Sequence, residues 1–354
     1  MHSPVPLTSS DYGVHVLAEY VSDHLSVFVV AQNANTRHPA NGGLRLLNYP
    51  TDRACIADGR RLAALMSLKH GLYSTGFAGG KIVARSNNPD AVKEKLIYVT
   101  AALLQSLKGT MVTGCDLNTS TEDMEYLTAL TPHVLAAVGS PVDASSATAY
   151  GALGAVEAVL DENLDTADPG RALVHGCGAV GSTIAQTLAD HGWTVFTIDL
   201  DKRRAVIRGA TALPVDCPWW KLDLDLFLPC SISGLINAEI NSVLQVKAVI
   251  PAANAPFSRP ELADELRWRN VLVLPDPLVN AGAVIADSIE HFSPEVWSQT
   301  SADSVYAFVR SEVRQRTHHY LRQCEQGMTA TQALNGVAAD STDQPIGLNF
   351  ANDT

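Results

Sequence analysis

Two hydrophobic periods alternate along the chain, and the points where one replaces the other outline its elements. GVHVLAEYV and LSVFVVAQ are short apolar runs rich in β-branched residues, which predicts two strands joined near Ser22 and Asp23. After the loop HPANGGLRLLNYP the period lengthens to that of a helix over 51–72. Leu62, Leu65 and Met66 fall at i, i+3 and i+4, and Asp52 stands in the first turn, where the helix dipole favours a carboxylate. GFAGGKIVARS reads as a glycine-rich turn entering a short strand. Helices are then expected over 90–107 and 121–131, with MVTGCDLNTS between them.

An Ala- and Gly-rich helix over 145–160 links this part to a second one, and DENLDTADPGR looks like the surface loop that ends the linker. Beyond it, strands alternate with helices: RALVH, a helix from Ala179, WTVFTID, a short basic helix, LDLFLPC, KAVIPAAN and NVLVLPD. That rhythm predicts a parallel sheet with crossover helices. The tail over 301–339 reads as two helices that must dock on something, and neither an internal repeat nor a low-complexity tract interrupts the pattern.

Composition narrows the classes. At 354 residues and 46% hydrophobic, the chain is long enough for two cores. A net charge of −12 makes it a poor match for phosphate backbones or anionic lipid, so neither a nucleic acid nor a membrane is expected as partner. No apolar run is long enough for a membrane span, and MHSPVPLTSSDYG lacks the basic-then-apolar pattern of a secretion signal. Six cysteines without any CxxC pair point to a reducing compartment, the cytoplasm. His318 and His319 are adjacent on a helix and cannot both face one ion, and no other ligand spacing for a metal is present.

The most specific motif is Gly176-Cys177-Gly178-Ala179-Val180-Gly181, which follows the strand ALVH and opens the helix AVGSTIAQTLAD. In that setting the first glycine permits a tight turn, the second lets backbone approach a pyrophosphate, and the third lets helix and strand pack closely. The pyrophosphate then meets unsatisfied N–H groups at a helix N-terminus. Asp199 ends the next strand, 18 residues beyond Gly181, where a carboxylate accepts from the ribose hydroxyls of NAD and repels the extra phosphate of NADP. Lys202, Arg203 and Arg204 would suit a 2′-phosphate instead, but Asp199 favours NAD.

Three polar residues of the N-terminal part stand in unusual surroundings. Lys69 ends the apolar helix in ALMSLKHG, Lys81 follows the small residues Ala78-Gly79-Gly80, and Asp116 follows Thr113-Gly114-Cys115. A lysine acts as a base near neutral pH only when burial or a second cation lowers its pKa by several units, whereas an unshifted lysine holds a carboxylate. Spacing alone favours reading each of them as a surface group.

The ordered series GGLR, MSLK, AGGK, TGCDLNTS, TAYG, GCGAVG, PC, AANA and NAG resembles the Glu/Leu/Phe/Val amino-acid dehydrogenases over most of the chain. The 12-residue spacing of Lys69 and Lys81 is also that family's. The resemblance implies that Lys69, with the backbone of Gly42 and Gly43, binds the substrate carboxylate. It implies that Lys81 is the general base acting on water, and that Asp116 exchanges protons with the amino group. Thr148, Cys230, Ala253, Asn254 and Asn280 then match positions at the nicotinamide, Asn254 also touching substrate. Met66, Gly114, Val284, Asn41 and Asp287 match the pocket for the substrate side chain. The reaction implied is NAD-dependent oxidative deamination of an L-amino acid to the 2-oxo acid and ammonia, reversible as reductive amination. The family's oligomers, built through the N-terminal domain, imply a homodimer or larger assembly.

Departures from the family pattern bear on the substrate. Ala78 replaces a glycine before the base lysine. Polar residues at Asn41 and Asp287 where relatives are apolar favour a polar or basic side chain such as arginine or lysine, while Gly114 adds space that suits a large aromatic one. Asp287 also reads as an exposed residue of the helix AVIADSIEHF, and His291 receives no role. A catalytically silent NAD-binding subunit is a third reading, against which stand the two lysines and the aspartate; a Rossmann methyltransferase would leave the paired lysines unexplained. The architecture expected is α/β in two domains: a mixed α/β substrate-binding and oligomerisation domain over 1–144, onto which helices over 301–354 pack back, and a Rossmann domain over 145–300.

Overall fold

The computed structural model describes residues 13–135, 137–162, 169–339 and 344–353. The chain divides into two compact units, the first ending at Gly139 and the second beginning at Ser140; residues 344–345 group with the first. Most of the loop expected at DENLDTADPGR lies outside the described residues. Among those described, no helix is long and apolar enough to cross a membrane.

The first unit is one sheet with helices on both faces. Its elements run β1 (Val14–Val21), β2 (Ser26–Gln32), β3 (Ala40–Asn41), β4 (Leu44–Leu47), α1 (Asp52–Tyr73), β5 (Ala78–Arg85), α2 (Pro89–Ser106), β6 (Met111–Val112) and α3 (Thr121–Thr128). β1 and β2 are the two expected strands and pair antiparallel, and the sheet order is β1-β2-β5-β3-β6. β4 continues β3 along the same edge of β5, both parallel to it, with the break at Gly42 and Gly43. Side chains on β2 alternate between faces. Val27, Val29 and Ala31 join Val92, Leu96 and Leu104 of α2 and Met124 of α3, whereas Phe28 and Val30 pack with Cys55 and Ala63 of α1. A strand covered on both faces has no polar side to show, which is why its sequence is a continuous apolar run.

The glycines before Lys81 differ from expectation, for they lie inside β5 rather than in a turn. A Cβ on Gly79 would stand 2.2 Å from the carbonyl of Ala63, so the glycine lets α1 lie directly on the strand. Gly80 faces Ala40 and Met111 at 2.8 Å. Their small size serves packing within the unit.

The second unit opens with α4 (Ala144–Asp161), whose N-cap Asp143 accepts from the Ser146 N–H. Then follow β7 (Arg171–His175), α5 (Ala179–Asp190), β8 (Thr194–Ile198), β9 (Ala210–Ala212), β10 (Leu224–Pro229), α6 (Ala238–Val243), β11 (Val246–Val249), α7 (Glu261–Arg267) and β12 (Leu272–Val273). All neighbours are parallel and the order is β12-β11-β10-β7-β8-β9, the doubly wound arrangement of dinucleotide-binding sheets. The basic segment after β8 is a turn and not the expected helix. Asp201 accepts from the N–H of Arg203 and pairs with its guanidinium at 2.9 Å, and such local side-chain bonds compete with helix formation.

The remaining helices are α8 (Asp276–Val279), α9 (Gly282–Phe292), α10 (Pro294–Trp297), α11 (Ala302–Glu325), α12 (Ala330–Ala339) and α13 (Ile346–Asp353), the last not anticipated. The expected return of the helices over 301–354 onto the N-terminal domain is corrected: residues 301–339 and 346–353 group with the second unit. The reason is α4, which is buried on nearly every side and needs several covering helices. α11 lays Val305, Val309 and Val313 along it, so closely that a Cβ on Gly154 would stand 2.1 Å from the Arg310 carbonyl. Glu157–Arg310, Arg314–Asp161 at 2.6 Å and His318–Asp161 at 2.9 Å then tie the two helices along their rims. α13 docks on α9 through Gly347, whose N–H donates to the buried Ser288 hydroxyl at 3.0 Å.

Candidate active site

MVTGCDLNTS, the segment after α2, is stitched to β4. Asn118 donates to the Leu46 carbonyl, and the Thr119 hydroxyl donates to Leu44 while accepting from the Asp116 N–H at 2.9 Å. These bonds bracket Arg45 and bring Asp116 against it. Arg45 donates through Nε to Asp116 Oδ2 at 3.0 Å and through Nη1 to Asp58 Oδ2 at 3.2 Å. Lys81, buried on β5, forms an ion pair with the same Oδ2 of Asp116. Asp58, on α1, also accepts from Tyr49 at 2.7 Å and from Arg61 at 2.7 Å.

Electrostatics follow from this crowding. Burial lowers the pKa of Lys81 below the ordinary lysine range, a fall that Asp116 opposes without cancelling. Burial alone would raise Asp116, but Lys81 and Arg45 outweigh it and hold the carboxyl at about 2. The site is therefore a carboxylate clamped between two cations, one of them the candidate base.

Lys69 sits half-buried in the last turn of α1, beside His70. The His70 ring spans to the sheet: Nε2 donates to the Asn41 carbonyl at 3.3 Å and Nδ1 accepts from Thr75 at 2.7 Å, which fixes the neutral tautomer. Burial keeps that ring uncharged, down to about 4. Asn41 is buried on β3, paired with Gly79 two residues before Lys81. Gly42 and Gly43 are needed for packing: a Cβ on Gly42 would stand 1.9 Å from the Gly80 carbonyl, and one on Gly43 2.4 Å from that of Cys115. Thr113 donates to the Gly42 carbonyl at 2.8 Å, with the half-buried Gly114 directly after it. Met66 is half-buried on α1.

In the second unit the Gly176–Gly181 turn joins β7 to α5. Gly176 adopts φ +96°, and a Cβ on Gly181 would stand 1.9 Å from the Gly176 carbonyl, so helix and strand close on each other. Gly178 differs, with no atom within 4 Å of the place a Cβ would take, and it begins α5 without any side-chain cap. An open backbone at an uncapped helix N-terminus, with Cys177, Ala179 and Val180 around it, fits the pyrophosphate of a dinucleotide. Asp199 closes the turn from the end of β8, accepting from the N–H of Cys177 at 2.7 Å and of Asp201 at 2.9 Å.

The other expected cofactor residues gather at the C-terminal ends of the strands, where such sheets bind ligands. The Ala253 N–H donates to the Pro229 carbonyl beside Cys230, and Asn280 Nδ2 donates to Asn254 Oδ1 at 3.0 Å. Gly282 abuts Ala147 and Thr148, bringing Thr148 to this end. The buried Oδ1 of Asn280 has no hydrogen-bond partner. Val284 is buried on α9; Asp287, on the same helix, is half-buried and already interacts with a neighbour. Arg45 and Asp58 were not singled out from the sequence. The signal was there, in an arginine inside the apolar run LRLL and an acid on the sheet-facing helix.

These features meet a consistent set of relatives. The description "Glutamate/Leucine/Phenylalanine/Valine dehydrogenase" matches residues 199–342, and "Glu/Leu/Phe/Val dehydrogenase, dimerisation domain" matches 17–133. A valine dehydrogenase of Streptomyces coelicolor is 30% identical over 81% of this chain and 83% of its own length. An L-tryptophan dehydrogenase of Nostoc punctiforme is 28% identical over 73% of this chain and 74% of its own. The crystal structure of L-tryptophan dehydrogenase from Nostoc punctiforme shares the fold, with a TM-score of 0.75 at 22% identity over 96% of this chain and 97% of that one. With both units matched, a buried lysine–aspartate pair in the first and a dinucleotide-type sheet in the second, the chain belongs to the Glu/Leu/Phe/Val dehydrogenase family, amino-acid oxidoreductases acting on the CH–NH2 group.

Proposed function

We propose that the protein catalyses the reversible, NAD-dependent oxidative deamination of an L-amino acid to its 2-oxo acid and ammonia. The observation that carries this reading is the buried contact between Lys81 and Asp116. A bound nicotinamide supplies the acceptor for the hydride leaving Cα. Lys69 holds the substrate carboxylate, assisted by the backbone at Gly42 and Gly43. Lys81, its proton loosened by burial, takes a proton from the water that attacks the imine. Asp116 exchanges protons with the amino group. Asp199 favours NAD over NADP, since both its oxygens are fixed on the turn where a 2′-phosphate would be repelled.

The side chain accepted is a large apolar or aromatic one. Gly114 leaves room, and the relatives matched are tryptophan, phenylalanine, leucine and valine dehydrogenases. A basic substrate is the second reading, resting on Asp287. It is weaker because a half-buried carboxylate that already interacts does not require a cation from the substrate. Mixing the protein with NAD or NADP and tryptophan, phenylalanine, leucine, valine, arginine or lysine, and following reduced nicotinamide, tests every part. Turnover with NAD and an aromatic or aliphatic amino acid is expected; arginine or lysine as the best substrate reverses the side-chain assignment, and no turnover with any amino acid removes the function. We further propose a homo-oligomer assembled through the first unit, which matches a dimerisation-domain description, checked by light scattering. A cytoplasmic location is proposed from the reduced thiols of Cys55 and Cys177.

A further inference from the structure

The carboxylate at the centre of the candidate site does not answer to Lys81 alone. Asp116 Oδ2 is shared by Lys81 Nζ and Arg45 Nε, while Oδ1 accepts from the Leu117 N–H at 2.7 Å and from Arg45 Nη2 at 3.4 Å. Arg45 is itself divided, since its Nη1 turns to Asp58 at 3.2 Å. Asp58 is shared in turn with Tyr49 and with the half-exposed Arg61. The result is a train of charges running from the α1 surface inward: Arg61, Asp58, Arg45, Asp116, Lys81. Arg45 and Asp58 are only 14% and 20% exposed, so water screens these interactions weakly.

We propose that Arg45 and Asp58 are positioning residues that act through Asp116: Arg45 orients the carboxylate onto Lys81, and Asp58 draws off part of the guanidinium charge so that the Lys81–Asp116 pair can exchange its proton. This inference rests on the assignment of Lys81 and Asp116 made above. Its logic is one of alternating sign. A cation beside the pair disfavours the charged ammonium and favours the carboxylate, and an anion one step further out does the opposite. Arg45 lowers the proton affinity of Lys81 and Asp58 raises it, in keeping with the burial-led fall of the lysine pKa that Arg45 deepens and Asp58 opposes. The groups facing Asp116 are Lys81 from β5 and Arg45 from β4, with Asp58, Arg61 and Tyr49 behind the guanidinium.

The test compares pH profiles of kcat/KM for amino-acid oxidation in the full-length wild type, Arg45→Gln, Asp58→Asn and Lys81→Ala. Activity in the wild type rises with pH as Lys81 loses its proton. Arg45→Gln should move that rise upward by about one pH unit, and Asp58→Asn should move it downward by less. Opposite shifts are the signature, because simple loosening of the fold lowers the amplitude of both profiles and moves neither midpoint. Asp58→Asn keeps the shape of the side chain, so the comparison survives if Arg45→Gln fails to fold. Unmoved midpoints, or shifts of one sign in both variants, overturn the inference while leaving the function in place. Activity retained by Lys81→Ala overturns the functional reading, and this inference with it.

Discussion

At the scale of single residues, one carboxylate is held by two cations and a buried imidazole is held neutral, and each gives a pH dependence of definite sign. Asp116 has a folded value near 2 against about 3.9 unfolded, so its contribution to stability is complete above pH 4 and disappears as pH falls through 2. His70 acts earlier. Its folded value near 4 against about 6.5 unfolded means its contribution is complete above pH 6.5 and is lost as pH falls toward 4, with a ceiling on the order of 3 kcal/mol. Unfolding by urea between pH 7 and 4.5 should therefore show a slope that flattens in His70→Gln; an unchanged slope rejects the role given to the ring. Lys81→Ala should lower kcat by about 10²–10⁴-fold, read in steady-state kinetics, while KM for NAD stays the same. The two lysines and Asp116 were singled out through the family resemblance of strings such as MSLK, AGGK and TGCDLNTS, since spacing alone left each readable as a surface group. Arg45 and Asp58 were not, since their meaning depends on a loop whose hydroxyl and amide side chains fasten it to the carbonyls of Leu44 and Leu46, a contact spanning more than 70 residues of sequence.

At the scale of elements, close approach decides more than periodicity. Gly154 lets α11 touch the backbone of α4, and Gly181 lets α5 touch the turn after β7. Gly154→Ala should destabilise the protein by about 1–3 kcal/mol, measured as a lowered urea midpoint, because neither backbone can yield without parting the helices. Retained stability would mean that α4 and α11 separate freely. Periodicity made α1, α2 and the alternating strands of the second sheet readable. It was silent on β9 and on α13, which are short and gain their order from what they pack against. It misread the segment after β8, where Asp201 bonds the local backbone and stops a helix that the basic residues alone would tolerate. The tail helices were seen but sent to the wrong host, since a stripe of Val305, Val309 and Val313 says that a helix docks and not where.

At the scale of the whole molecule, each unit has its own buried cluster, one between a sheet and the helices on its faces and the other around β7, β10 and β11. Ligand linkage should follow that division. NAD should slow amide hydrogen exchange at 176–182, 252–255 and 280–282 and leave β1 and β2 unaffected; equal protection of β1 and β2 would place the dinucleotide elsewhere. The division itself was legible from the shift between mixed strands and regular alternation, displaced by only a few residues from the boundary at Ser140.

Asp199 holds the glycine turn shut with both oxygens, so the residue proposed above as the selector of NAD is also a brace. Anyone retuning the enzyme toward the phosphorylated coenzyme by exchanging that acid alone would slacken the cradle they hope to use. The sounder route leaves the brace untouched and works on Leu200 and Lys202 to Arg204, the outward-facing rim beside it.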